Sequence, residues 1–450
     1  VKQPVPRSAF ESQPLWRQLF SMTWPMLFGV LSLMTFQLVD SAFIGQLGRD
    51  PLAALGFTLP MQQLIIGLQV GLGIATTAII SRTLGEGGFE LASRQAGLVV
   101  LAGAVLVALL CVILWLLRDP ILGLLGAEQA LVPLISDYWI PWLLSAWSGA
   151  MLYFGYSIFR AQGHTRLPGL MMVLTSVLNI LLDPLFIFVF DWGLPGAGLA
   201  TLVAFSLGCL LIYPRLFQRR WLQFDFAELP VVRSLLRLSG IMGPAMVSQL
   251  MPPLAAMLAT ALVAGFGSGA VAAWGLGTRL EFFSIVVVLA LTMSMPPMIG
   301  RRLGQRAFAE ITQLVRLAVL FVTGWQLLIA LVWLLLSSTV SPLFSEDQGV
   351  ANLLESYLLR VPLSYGGLGV CMLMVSFCNA LGMPMRALII SLLRLFACYL
   401  PLLWLGAQLN DMSGLFSGAL VGNLLAGAVS YGLYRVGMQK LREQEAASAS

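Results

Sequence analysis

The feature that most constrains this chain is the length of its apolar blocks. Run after run of about twenty residues carries almost no charge, and short turns separate the runs. Blocks of that length, apolar all round and not along one stripe, need a bilayer as their solvent. The composition closes off the alternative: at 59% hydrophobic and 10% charged, 450 residues cannot cover their apolar surface in water. The expected fold is all-α and polytopic, with helices near 16–47, 51–82, 92–117, 132–159, 167–190, 193–215, 234–265, 270–300, 311–337, 351–379, 385–406 and 412–436. Turn residues fill the gaps, as at Gly48 to Pro51, Gly163 to Pro168 and Gly193 to Gly198. The polar stretch Val1 to Pro14 precedes an apolar run too long for a cleaved signal peptide, so that run reads as the first span.

Several function classes drop out. The single histidine, His164, cannot build an imidazole metal site or a histidine-dependent catalytic pair. Cys111, Cys209, Cys371, Cys378 and Cys398 sit in apolar stretches without CxxC spacing and read as small core residues. No HExxH, GxSxG or Walker loop is present, so neither a catalytic residue nor a cofactor is expected. The net charge of +5 falls mostly on one membrane face, which accounts for it without nucleic acid. That face collects Lys2, Arg7, Arg82, Arg160, Arg219, Arg220, Arg301, Arg302, Lys440 and others, leaving Arg49, Arg118 and Arg360 opposite. The bias puts both termini, and the longer connection between Phe217 and Arg233, in the cytoplasm.

An internal repeat organises the chain. Gly48, Ala53, Ala54 and Gly56 recur as Gly267, Ala272, Ala273 and Gly275; Arg82, Leu84, Gly85 and Phe89 recur as Arg301, Leu303, Gly304 and Phe308. Every pair shares an offset of 219 residues, without a gap. The expected domains are a six-helix lobe over 1–215, a cytoplasmic linker over 216–233 and a second six-helix lobe over 234–450. An even number of helices per half makes the repeat parallel, an organisation common among secondary transporters.

Where the halves differ, function is the better explanation. Asp40 maps onto Ala259, Asn179 onto Cys398, Asp183 onto Leu402 and Thr201 onto Leu420. Asp40, Asp183 and Thr201 each fall seven or eight residues from the outer end of their helices, roughly 10–12 Å below the outer surface. Asn179 and Asp183 share a helix face at i and i+4. A carboxyl inside hydrocarbon is costly, and two at one depth suggest a shared, water-accessible site for a proton or, with the amide and hydroxyl oxygens, for sodium. Tyr138 reaches a similar depth but recurs as Tyr357, which suits a structural role equally. In the other half Arg279, Glu281 and Arg394 are expected to form a structural ion pair, with substrate contact as the alternative. Pro25, fifteen residues before Asp40 on one helix, could bend that helix as the site changes state or hold a fixed kink. Met34, Phe36 and Phe57 are candidates to line a cavity.

The segments LVDSAFIGQLG (Leu38 to Gly48), AALG (Ala53 to Gly56), NILLDPLFIF (Asn179 to Phe188) and GLPGAGLAT (Gly193 to Thr201) resemble signatures of MATE (multidrug and toxic compound extrusion) transporters. The resemblance spans the chain and is greatest to the DinF-like branch, whose acidic site lies in the N-terminal lobe. It implies a monomeric antiporter of the bacterial inner membrane that exports cationic or lipophilic drugs as protons, or sodium, move in. It assigns the ion to Asp40, Asn179, Asp183 and Thr201, with Tyr138 a further member, and helix bending to Pro25. A lipid-linked oligosaccharide flippase of the same superfamily is the rival, for which Arg279 and Arg394 would suit an anionic pyrophosphate.

Overall fold

The computed structural model describes residues 13–227 and 229–447, and every regular element among them is helical. Lys2 and Arg7, two of the charges assigned to the cytoplasmic face, lie outside the described residues. The helices run α1 Leu15–Gln46, α2 Arg49–Gly85, α3 Phe89–Leu116, α4 Arg118–Leu124, α5 Val132–Ala161, α6 Arg166–Pro184, α7 Gly193–Gln218, α8 Val231–Ala264, α9 Ser268–Ser284, α10 Val286–Gly304, α11 Phe308–Phe344, α12 Gln348–Arg360, α13 Tyr365–Ala380, α14 Pro384–Leu393 and α15 Leu400–Ala447. Ten stretches are long and apolar enough to cross a membrane. One of them, Pro384–Gln444, folds back at Asn410 and Asp411, where the backbone leaves helical geometry, and so supplies two passes. With the 30-residue α5 the passes number twelve.

Chain contacts group the protein into two units, Arg17–Met246 and Pro14–Trp16 with Val247–Ser450. The division falls inside α8, because its first half packs on α2: a Cβ on Gly71 would lie 3.0 Å from the Met242 carbonyl oxygen and the Met246 nitrogen.

In the first unit, α5 and α7 cross closely enough that a Cβ on Gly198 would meet Pro141 Cβ at 3.0 Å. Without a hydrophobic force between helices in lipid, small residues at crossings let backbones approach. The α1–α6 crossing is closer still, since a Cβ on Gly169 would lie 2.3 Å from the Pro25 carbonyl oxygen. Although Pro25 removes a backbone donor, α1 runs through it as one continuous helix. Its burial is uneven. Gln18, Leu19, Met22, Thr23, Pro25, Met26, Gly29, Val30 and Met34 are buried, but beyond Met34 only Ile44 is. The C-terminal half of α1, which carries Asp40, is therefore the loosely held half.

Two π-helical turns widen the helix, at Leu185–Val189 and Arg394–Tyr399. Pro184 immediately precedes the first, and Pro401 follows the second by two residues. A proline cannot supply its helical hydrogen bond, and a π turn is one way the backbone absorbs that loss.

Candidate functional site

Four helices of the first unit bring the polar set together. The i, i+4 spacing on α6 presents Asn179 and Asp183 on one face, and both are fully buried at 0% exposure. The C-terminal half of α1 brings the half-buried Asp40 beside Asp183, close enough for the two carboxyl groups to act on one another. Asp40 Oδ1 is buried and has no donor from the protein. Two carboxyl groups offer only acceptors when ionised, so a close approach is favoured when a proton, or another cation, lies between them. Such a pair gains and loses protons as a unit.

The Asn179 amide bridges Asp183 and Thr201. With Nδ2 donating to Thr201 Oγ1 at 2.9 Å, and Thr201 Oγ1 donating to the Ala197 carbonyl at 3.1 Å, Asn179 Oδ1 is left facing the carboxyl. That arrangement suits a protonated Asp183 donating to the amide oxygen. Turned over, Nδ2 donates to Asp183 Oδ2 at 2.7 Å and Oδ1 at 3.0 Å, while the amide oxygen accepts from Thr201 N–H at 3.3 Å and Oγ1 at 2.9 Å. That arrangement suits an ionised Asp183, and the amide orientation follows from the network. Tyr138 on α5, 6% exposed, lies within Coulombic range of both carboxyls and donates to neither.

The remaining candidates are placed as follows. Pro25 is buried at the α1–α6 crossing. Met34 is packed at 4% exposure, whereas Phe36 and Phe57 are half-buried. Arg279, Glu281 and Arg394 do not form the expected contact ion pair among the described residues. Glu281 Oε2 instead accepts from Tyr357 Oη at 3.0 Å, and Arg394 acts on Glu281 only through space. Arg279 is exposed and, two residues from Glu281 on α9, points to another side of the helix.

Tyr357 is the partner that sequence reasoning passed over, and the repeat held the signal. It stands 219 residues after Tyr138, so each half sets an equivalent tyrosine beside a membrane carboxyl. The Ala197 carbonyl, the terminus of the Asn179–Thr201 chain, leaves no trace in side-chain patterns. As for metal, no group of three or more His, Cys, Asp or Glu side chains clusters among the described residues.

The MatE family model matches twice, over residues 25–185 and 244–405, two segments whose starts differ by the offset of the internal repeat. A "FAD transporter" of Shewanella oneidensis is 34% identical over 435 residues, covering 94% of this chain and 95% of that protein. "Multidrug export protein MepA" of Staphylococcus aureus is 24% identical, with 92% of each covered. Among solved structures, the Vibrio cholerae MATE transporter VcmN in the bent form is 56% identical and superposes with a TM-score of 0.93, over 95% of this chain and 98% of that one. With twelve membrane passes among the described residues, a family match over most of its length and relatives that are transporters, this chain belongs to the MATE family of membrane transporters and is not an enzyme.

Proposed function

We propose that this protein is a DinF-like secondary antiporter of the bacterial inner membrane, with both termini cytoplasmic, that exports cationic or lipophilic drugs while protons enter through Asp40 and Asp183. The observation that carries the reading is the juxtaposition of two buried carboxyls from separate helices, an arrangement that favours a proton or cation between them. Deprotonation sets two like charges in a poorly hydrated pocket and drives α1 off α6. Because the C-terminal half of α1 is so little buried, that motion costs few packing contacts.

The donor set favours a proton over sodium. Sodium would need several oxygen ligands, yet an ionised Asp183 is met by the Asn179 amide nitrogen, and among the described residues Asp40 Oδ1 is the one buried carboxyl oxygen left without a donor. A second reading of the cargo, an anionic flavin dinucleotide, draws on the name of the 34%-identical Shewanella relative and on the membrane-embedded Arg394.

Drug resistance in an efflux-deficient strain tests the antiport reading. Asp40→Asn and Asp183→Asn are each expected to lower resistance to that of the empty vector at unchanged expression. Full resistance in both variants would remove the ion site.

A further inference from the structure

The second unit also holds a carboxyl inside the membrane, and its partner is of the opposite kind. In the first unit Tyr138 faces two acids. At the repeat-related position Tyr357 donates to Glu281, beside which stand Tyr365, Tyr399 and the guanidinium of Arg394. Arg394 lies ten residues into its span from Pro384, about 15 Å along the helix and so near the bilayer midplane. Its side chain is half-buried and lies within electrostatic range of Glu281, Tyr399 and the fully buried Cys371. Among the described residues it makes no hydrogen bond and no contact ion pair. A cation held at that depth without a contact anion is costly, and arginine's planar fork is built to grip phosphate or carboxylate through two parallel bonds.

Three further observations point the same way. Tyr365 Oη, on a residue at 0% exposure beside Tyr357 and Glu281, has no well-formed hydrogen bond. Arg394 is carried on a π-helical turn, a distortion that recurs at binding sites. The same unit carries an apolar groove of about 480 Å³ lined by Leu258, Ala261, Leu262, Leu400, Pro401 and Trp404, Arg394 itself not among them, with room for the apolar body of an amphipathic anion.

We infer that Arg394 is the anion-binding position of a cargo subsite in the second unit, taking a phosphate or diphosphate group carried by an aromatic or lipidic body. A carboxyl paired with a carboxyl takes up a cation; a carboxyl set loosely against an arginine leaves that arginine free to take up an anion. The inference rests on the transporter reading above and assigns its second cargo class. Binding, however, is measured without an ion gradient, so its failure and the failure of the coupling site are distinguishable.

The test uses the full chain, wild type and Arg394→Ala, Arg394→Lys and Arg279→Ala, in lipid nanodiscs. In neutral phosphatidylcholine, FAD is titrated against tryptophan fluorescence. The expected result is a tenfold or greater loss of affinity in Arg394→Ala, partial recovery in Arg394→Lys, which keeps the charge but not the two-bond fork, and no change in Arg279→Ala. A parallel arm without FAD compares melting temperatures in phosphatidylcholine and in phosphatidylglycerol. Stabilisation by phosphatidylglycerol that Arg394→Ala abolishes, in a protein indifferent to FAD, assigns the anion to a lipid headgroup in place of a soluble cargo. The inference is overturned if Arg394→Ala matches wild type in both arms, or if Arg394→Lys restores neither response, which marks a packing role.

Discussion

A single methyl group at the α1–α6 crossing separates a mechanical role for α1 from a passive one. In Gly169→Ala the new Cβ would sit 2.3 Å from the Pro25 carbonyl oxygen and 2.7 Å from its carbon, both backbone atoms that cannot rotate aside. Restoring ordinary contact at about 3.4 Å moves α1 away by about 1 Å. With the turn that holds the buried Leu19 and Met22 as pivot, about 8 Å before Pro25, that shift tilts the helix by about 8° and carries Asp40, about 30 Å from the pivot, some 4 Å from Asp183. The close approach of the carboxyls is lost at that distance. The overpacking itself costs about 1–3 kcal/mol. Gly29→Ala is the matched control: its Cβ would meet the Met172 sulfur at 2.9 Å, which can move aside, and backbone only at 3.3 Å, at Gly169 Cα, a full ångström looser than the Gly169→Ala clash. Ethidium efflux from cells, with expression checked by immunoblot, is expected to fall at least tenfold in Gly169→Ala and less than threefold in Gly29→Ala. Wild-type efflux in Gly169→Ala, or equal losses in the two variants, would refute the linkage of this crossing to the ion site.

The other expectations are smaller in scale. Thr201→Val deletes the hydroxyl that links Asn179 to the Ala197 carbonyl, a hydrogen bond worth about 1 kcal/mol, and should slow efflux several-fold without abolishing it. Tyr357→Phe leaves Glu281 without its donor and should destabilise the purified protein by about 1–3 kcal/mol, read as a lowered melting temperature, while Tyr431→Phe serves as an unaffected control. Pro25→Ala restores a helical hydrogen bond and should reduce transport unevenly across substrates; unchanged transport would leave Pro25 as a fixed feature of the helix.

Much of the architecture could be read from the sequence because the bilayer enforces it: each span must be long, apolar and internally hydrogen-bonded, so block lengths and turn glycines reveal the helices. The juxtaposition of Asp40, Asn179, Asp183 and Thr201 could be anticipated from their shared depth and from their replacement by Ala259, Cys398, Leu402 and Leu420 in the other half. The second unit was harder, for local reasons. Arg279 and Glu281 are close in sequence but diverge around α9. Arg394 sits on a widened turn whose phase no regular helical period predicts. The fold-back at Asn410 and Asp411 likewise depends on Asp411 entering the left-handed region at φ 49°, where glycine would be the usual choice. The break between α9 and α10 shows only in three dimensions, where Gln326 Nε2 donates to the freed Ser284 carbonyl at 3.2 Å.

The central claim is that the Asp40–Asp183 pair takes up the proton that drives export. Its most direct measurement is drug transport by purified protein in liposomes under a pH gradient alone and then a sodium gradient alone, for wild type, Asp40→Asn and Asp183→Asn. The account predicts transport by wild type under the pH gradient only, and none by either variant. Transport driven by sodium alone, or a pH-driven rate undiminished in both variants, would contradict it.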